Sequence, residues 1–575
     1  MIESNIQHLP PSMLSWPFYG AGLENMGQDG HPVEIPVPQP APDQLLARVD
    51  ACGLCFSDIK VIRQGGEHPR LHHRNLKKDP TVLGHEVSLT VAAVGEDLKN
   101  RFHPGQRLAL QPDIYYHGQA LAYGYVIPGG LQEYCLLGAE VLEGDAGCYA
   151  LPITPELGYA EVALTEPWAC VEAAYTQRRR VNIKPGGVLW IIGQAGDKTD
   201  YQLGDTFSAG LPSRVILTDV PQSLASQLAG LNLPLVVRDN LSTNDFPLLA
   251  QAYTQTGFDD ILCLSPVEAG IIEAAAKLAA PRATVTLVGP RRLSRPVSID
   301  LGRIHYDYIA YLGAPGPDIG AAYSSTRSRS ELRSGGRAWI LGAGGPMGRM
   351  HLQRMIQMPS APGLVLASDI DTPRLDDLKR SFGAQARLHG LELVTLNTKD
   401  MSPAALEETL RRIHGGRGFD DIVVMVPLPA LIEGAMPHLA PDGMLVLFAG
   451  IARGTYASLD LSGIYLGQVQ LTGTTGSNIQ DQLNVLHKTE TGELSPADVV
   501  AAIGGIDAAQ EGMRAMLESR YPGKVVIYPQ VRSFPLTGLA DLKNVAPAVT
   551  AKLGPGGAWT RAAEAEFLRL YSGVI

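Results

Sequence analysis

Residues 335–371, GGRAWILGAGGPMGRMHLQRMIQMPSAPGLVLASDID, restrict the fold more than any other stretch of the chain. Ala338 to Leu341 is a short apolar run suited to a buried strand. Gly342, Gly345 and Gly348 follow at a spacing of three, then a helix-like segment to Met358. A second apolar run, Gly363 to Ala367, ends just before Asp369. This order of strand, glycine turn, helix, strand and acid is the layout of a dinucleotide site. Glycines let the backbone turn tightly beside a pyrophosphate, whose charge sits at the helix N-terminus. Gly342, Gly344, Gly345, Pro346, Met347 and Gly348 are the expected cofactor contacts. Asp369, 21 residues after Gly348, is placed to accept hydrogen bonds from an adenosine ribose. An acid there repels a 2'-phosphate and favours NAD over NADP, while Arg374 nearby works against that preference. Read from Gly342, the motif has one residue more than GxGxxG, so a plain tight turn in an α/β sheet competes with the nucleotide reading.

A chain of 575 residues is too long for one core and accommodates three domains of ordinary size. Its net charge of −11 argues against general nucleic-acid binding, which needs a basic face. The N-terminus MIESNIQHLPPSML lacks the basic and apolar parts of a leader, and no uncharged apolar run is long enough to span a membrane. Six cysteines do not make a disulfide framework at this length, so a cytoplasmic setting is expected.

Residues 1–182 read as a β-rich domain, with strands expected at Leu45 to Val49, Glu86 to Val94 and Gln106 to Leu110. A helix is expected over Ala163 to Tyr175 and a polar loop over Gly65 to Asp79. An internal duplication follows. GVLWIIGQAG from Gly187 echoes GRAWILGAGG from Gly336, and FDDILCL from Phe258 echoes FDDIVVM from Phe419. LGRIHYDYIAYLGAPGPDI from Leu301 echoes LSGIYLGQVQLTGTTGSNI from Leu461, 160 positions on. Both copies alternate strands with helices, as doubly wound parallel sheets do. The first copy, residues 183–334, keeps Gly193 and Gly196 but then runs into DKTDYQLGDTFSAG, which is too polar and glycine-rich to begin a helix. It reads as a structural or degenerate nucleotide unit, with Asp219 the residual argument for a ligand. Residues 335–530 are the expected NAD-binding unit, ending in the strand GKVVIY. Residues 531–575 form a C-terminal extension with a helix over Thr560 to Tyr571.

Cys52, Cys55, Ser57, Asp58, His85, Glu86 and Glu166 carry the remaining chemical signal. A Cys-x-x-Cys pair serves redox chemistry or packing as readily as metal binding. A catalytic zinc wants about three S, N or O ligands and one open position, and Cys55, His85 and Glu166 supply one of each type.

The stretches CGLCFSD at Cys52, VLGHE at Val82, HPGQRL at His103, GGLQEY at Gly129, LTEPWAC at Leu164 and the closing GKVVI are similar to those of the medium-chain, zinc-dependent alcohol and polyol dehydrogenases, the sorbitol-like members in particular. The resemblance covers roughly residues 30–190 and 335–528, with the first copy inserted between. It implies a GroES-like catalytic domain joined to Rossmann-like units. It makes Cys55 and His85 zinc ligands and Glu166 a third ligand or the holder of a water. Glu86 would lie beside the metal, Ser57 would relay the substrate proton, and Asp58 would orient His85. The chain departs from the family pattern in three ways. The lobe after His103 has no cysteine cluster, so one catalytic zinc and no structural zinc is expected. Lys60 stands where the relay often ends in histidine, leaving water, His72, His73 or Lys60 as the proton exit. The substrate arginine of polyol members is missing near Gly476.

The expected activity is zinc-dependent, NAD-linked interconversion of a secondary alcohol of a polyol, sugar or sugar derivative and its ketone, by a homo-oligomer (dimer or tetramer). The basic loop His68, Arg70, His72, His73, Arg74, Lys77 and Lys78 is either simply solvated or an attractor for an anionic substrate. A cofactor-retaining epimerase or eliminating enzyme and a non-catalytic nucleotide sensor remain the alternatives.

Overall fold

A computed structural model of the chain describes residues 9–265, 268–324, 328–474 and 476–573. The first eight residues, on which the reading of the N-terminus partly rests, lie outside that set. Among the described residues no helix is long and apolar enough to cross a membrane.

The catalytic domain is built on an eight-stranded sheet whose central members are Leu45–Gly53 and Glu86–Val94. Leu45–Gly53 is buried along nearly its whole length, and its two charged residues, Arg48 and Asp50, are paired with each other at 2.8 Å. It runs antiparallel to Glu86–Val94 with Gly53 opposite Glu86 and Cys52 opposite Val87. That register sets the site, because Cys55 lies just beyond one strand end and His85 just before the other strand start.

The same sheet takes in Val500–Gly505, Lys524–Tyr528 and Thr537–Gly538. The boundary expected at residue 530 is therefore misplaced. The chain returns to the catalytic domain by Val500, because Ala502, Ile503, Val525 and Ile527 are fully or almost fully buried there, Ala502, Val525 and Ile527 in one core with Cys52 and Leu89. The extension is not a separate piece either, since Thr537–Gly538 pairs with Val500–Gly505. Its helix, Arg561–Tyr571, is capped by Thr560 and buries Phe567 against Tyr528 and Phe534.

Both copies of the duplication are six-stranded parallel sheets of the same order. In the first, Leu235–Val237, Arg214–Thr218, Val188–Ile192, Phe258–Leu264, Ala279–Val288 and Ala310–Ala314 lie side by side. In the second the corresponding strands are Glu392–Asn397, Leu364–Asp369, Arg337–Leu341, Phe419–Val424, Leu439–Leu447 and Gln470–Thr472. The strand order reverses beside the first strand of each copy, and doubly wound sheets open their ligand crevice at that point. The duplication extends to side chains. Trp190 donates to Thr218 as Trp339 donates to Ser368, and Arg180 grips Asp260 as Arg329 grips Asp421.

The copies differ where a nucleotide would sit. Arg337–Leu341 leads through Gly342 into the helix Pro346–Gln357. After Val188–Ile192 the chain makes only turns until Arg214. Buried Tyr201 is held there by Asp197, and the Asp219 carboxylate accepts from Asn240 N. The polar, glycine-rich sequence has no apolar face with which to dock a helix.

Candidate active site

Cys55 is the N-cap of the helix Phe56–Gln64. Its sulfur accepts from Ser57 N at 3.5 Å, while Asp58 Oδ2 accepts from Cys55 N at 3.1 Å. The sulfur is thus pinned at the N-terminal end of a helix. The other Asp58 oxygen lies 3.1 Å from His85 Nδ1 and accepts from Gly84 N at 3.4 Å. With Nδ1 engaged, His85 offers Nε2 to a metal, the arrangement in which a carboxylate fixes the tautomer of a ligating histidine. Burial opposes a charge on His85, and the facing Asp58 and Cys55 override it to raise its pKa.

The donor atoms of Cys55, His85 and Glu86 all lie within 4.8 Å of one another. Glu86 is fully buried, and Lys524 Nζ bonds its Oε1, while Oε2 has no hydrogen-bond partner. A buried carboxylate oxygen without a partner is costly, and a cation or water at this place would satisfy it. Burial pulls the Lys524 pKa down, and Glu86 more than restores it, to about 12. The sulfur, nitrogen and oxygen donors fit a zinc ion.

Glu166 lies on the helix Thr165–Ala173 and is not part of that close group. It is buried near it, with its pKa pushed up to about 7 by burial against the opposing pull of His85. The helix is locked to the nucleotide unit, since Gln482 donates to Thr165 Oγ1 at 3.1 Å. Ser57 is half-buried at the helix start, and Lys60 follows one turn later on the same face.

The residues expected to contact a cofactor lie together along one strand–turn–helix–strand run. Gly342 has φ +85°, a conformation open chiefly to glycine. A Cβ on Gly348 would lie 2.6 Å from the Ala343 carbonyl, so glycine there permits close packing of helix on strand. Gly345 caps the helix and Pro346 opens it, while Met347 packs against the core. Asp369 ends its strand, and its Oδ2 accepts from Gly344 N at 2.7 Å. Arg374 is turned away to the Ser519 carbonyl, at 2.8 Å.

Sequence reasoning missed several wall residues. Tyr125 packs its ring 5.8 Å from that of His85, and Arg70 lies over Tyr125 at 5.3 Å. Arg70 is also paired to Asp113 at 2.5 Å. Arg74 is tied to Asp79 and to the carbonyls of Pro80 and Val126. These pairings neutralise much of the loop that read as freely basic. His72 and His73 likewise engage Ala120 O and Glu67. Lys524 had a legible signal, a charge inside the apolar strand GKVVIY.

Residues 41–143 match the family described as alcohol dehydrogenase GroES-like domain. The Escherichia coli protein YggP is 34% identical over 215 residues, 37% of this chain and only half of that protein. L-sorbose 1-phosphate reductase of Klebsiella pneumoniae is 24% identical over 92% of this chain and 91% of its own. Mannitol-1-phosphate 5-dehydrogenase of Aliivibrio fischeri is 24% identical over 89% and 86%. Among solved structures, 2R,3R-butanediol dehydrogenase of Bacillus subtilis shares the fold with a TM-score of 0.50 and 16% identity, over 90% of this chain and 99% of that one. The GroES-like domain, the parallel sheets and relatives named as dehydrogenases and reductases make the chain similar to the alcohol and polyol dehydrogenases of the medium-chain dehydrogenase/reductase family, and support an oxidoreductase.

Proposed function

We propose that the chain catalyses zinc-dependent, NAD-linked interconversion of a secondary alcohol of a polyol, sugar or sugar phosphate and its ketone. The observation that carries this reading is the convergence of Cys55, His85 and Glu86 donors within 4.8 Å, with Glu86 Oε2 left without a protein partner. The two relatives matched along most of their length act, by name, on phosphorylated sugars or polyols, which supports a phosphorylated substrate.

When bound, zinc supplies Lewis-acid polarisation of the substrate oxygen and NAD supplies the hydride acceptor. Cys55, His85 and Glu86 or Glu166 would hold the metal. Asp58 keeps His85 in the ligating tautomer, and Lys524 holds Glu86 beside it. Ser57 Oγ takes the hydroxyl proton and passes it to water at the cleft mouth. Glu166, buried at the cleft, orients water or the substrate hydroxyl. Gly342, Gly344, Gly345, Pro346, Met347 and Gly348 cradle the pyrophosphate, and Asp369 turns its carboxylate from Gly344 N to the adenosine ribose.

The test is NADH absorbance as zinc-loaded protein meets NAD and a panel of polyols, sugars, sugar acids and their phosphates, with His85→Ala as control. Turnover lost in the variant supports the reading. A flat trace with every alcohol, from protein that binds both zinc and NADH, overturns it.

A further inference from the structure

The two copies meet about a local two-fold axis. Val297–Asp300 of the first pairs antiparallel with Tyr456–Leu459 of the second, and Ser298 lies opposite Ser458. These serines are 160 positions apart, the same separation as the repeated segments that follow. Equivalent residues therefore face each other, as in an isologous contact between two subunits. Val297, Ile299, Leu301 and Ile304 share one buried core with Ala457, Leu459, Leu461 and Ile464. Hydrogen bonds cross the contact in both directions: Asp300 accepts from Gly454 N at 2.8 Å, and Ser462 Oγ accepts from Leu293 N at 3.0 Å.

This docking carries the first copy's helix Leu301–Tyr306 towards the catalytic domain's helix Phe56–Gln64, which Cys55 caps. A Cβ built on Gly450 would lie 3.1 Å from Lys60 Nζ and 3.5 Å from Tyr306 Oη. Lys60 belongs to the catalytic domain, Gly450 follows a strand of the nucleotide unit, and Tyr306 comes from the first copy, so three parts of the chain meet at one point. Among the described residues Lys60 makes no hydrogen bond and no ion pair. Arg179 is buried and bonds Thr472 Oγ1 and the carbonyls of Ile304 and Gly473, with no carboxylate partner among the described residues. Uncompensated positive charge at a cleft in a protein of net charge −11 marks a place for an anion. Its field is felt by His305, whose pKa burial pushes down to about 4, with Arg179, Lys60 and Arg453 adding to the shift.

We propose that the first copy is a built-in partner that completes the cleft of the second, where its Tyr306 and the catalytic domain's Lys60 hold the phosphate of a phosphorylated polyol or ketose. This rests on the reading of the metal-proximal site as the place of alcohol oxidation. The first copy then has a use without binding nucleotide: it supplies in cis a wall that would otherwise require a second chain.

The test uses zinc-loaded full-length protein and matched pairs such as mannitol and mannitol 1-phosphate. Wild type should prefer the phosphate ester in kcat/KM. Lys60→Met and Tyr306→Phe should each reduce that preference, by about tenfold for the loss of a charge-assisted hydrogen bond. Calorimetric titration with inorganic phosphate should show weaker binding to both variants, a readout independent of turnover. Equal loss on both alcohols would make Lys60 a proton-transfer group and overturn the proposal, as would phosphate binding indifferent to both changes. If no alcohol is turned over but phosphate binding depends on Lys60 and Tyr306, the anion site stands and the reading of the reaction falls.

Discussion

Lys524 and Glu86 form an ion pair in which the side chains are 3% and 0% exposed. They come from strands 438 residues apart, joined only when the chain returns to its first domain. Removing one partner of such a pair strands the other's charge, at a cost of about 3–5 kcal/mol. Lys524→Met should therefore destabilise strongly in denaturant titration, and adding Glu86→Gln should recover much of the loss. An additive double variant would show that the pair contributes no coupling.

Asp58→Asn keeps the size of the side chain but removes the charge facing His85 Nδ1. Loss of such a supporting carboxylate weakens metal binding by about 10–100-fold. Competition with a chromogenic chelator measures this, and an unchanged zinc affinity would remove Asp58 from the role of orienting His85.

Glu564 is buried on the C-terminal helix, accepting from Tyr159 N, Ala160 N and Tyr528 Oη. It caps the helix Tyr159–Ala163, which leads directly into the segment bearing Glu166. Glu564→Ala leaves two buried donors and one part-buried donor unpaired and should cost at least about 2 kcal/mol. Thermal unfolding checks this, and Glu564→Gln should lose less because it still accepts.

Asp369→Ala should narrow the preference for NADH over NADPH by about tenfold, measured by nicotinamide fluorescence. The reason is electrostatic: a carboxylate beside a 2'-phosphate is repulsive, and each 1.4 kcal/mol is a factor of ten. A preference unmoved by the change would place the ribose elsewhere.

His351 is fully buried, 2.6 Å from the Tyr175 hydroxyl, and burial followed by the nearby Arg354 pushes its pKa down to about 3. The folded state keeps it neutral, whereas the unfolded chain takes up a proton below about pH 6.5. Its contribution is thus present at neutral pH and lost as pH falls from about 6.5 towards 3, at up to about 1.4 kcal/mol per unit. His351→Gln should flatten the acid limb of a stability-against-pH curve. An identical slope would assign acid sensitivity to other groups.

Local signals read correctly wherever the chemistry is local. The strand Glu86–Val94 and the absence of a helix after Gly193 follow from short windows of sequence. So does the run from Gly342 to Asp369, because glycine conformations and apolar strands are properties of adjacent residues. The misplaced boundary at residue 530 has the opposite origin: GKVVIY reads as a strand, but nothing local says which sheet it joins. The partners of the basic loop were hidden for a similar reason, since Arg70 and Arg74 find Asp113 and the Val126 carbonyl only in the folded chain.

By itself, the sequence determined the two doubly wound units, the glycine turn and the residue types of the candidate metal site, since each is written in spacing or in a short motif. Only the tertiary structure decided that Gly53 lies opposite Glu86, that Lys524 pairs with the Glu86 carboxylate, and that Tyr306 of one copy and Lys60 of another domain both come close to Gly450. Those are pairings over tens to hundreds of residues, set by strand register and shared burial rather than by any neighbouring side chain.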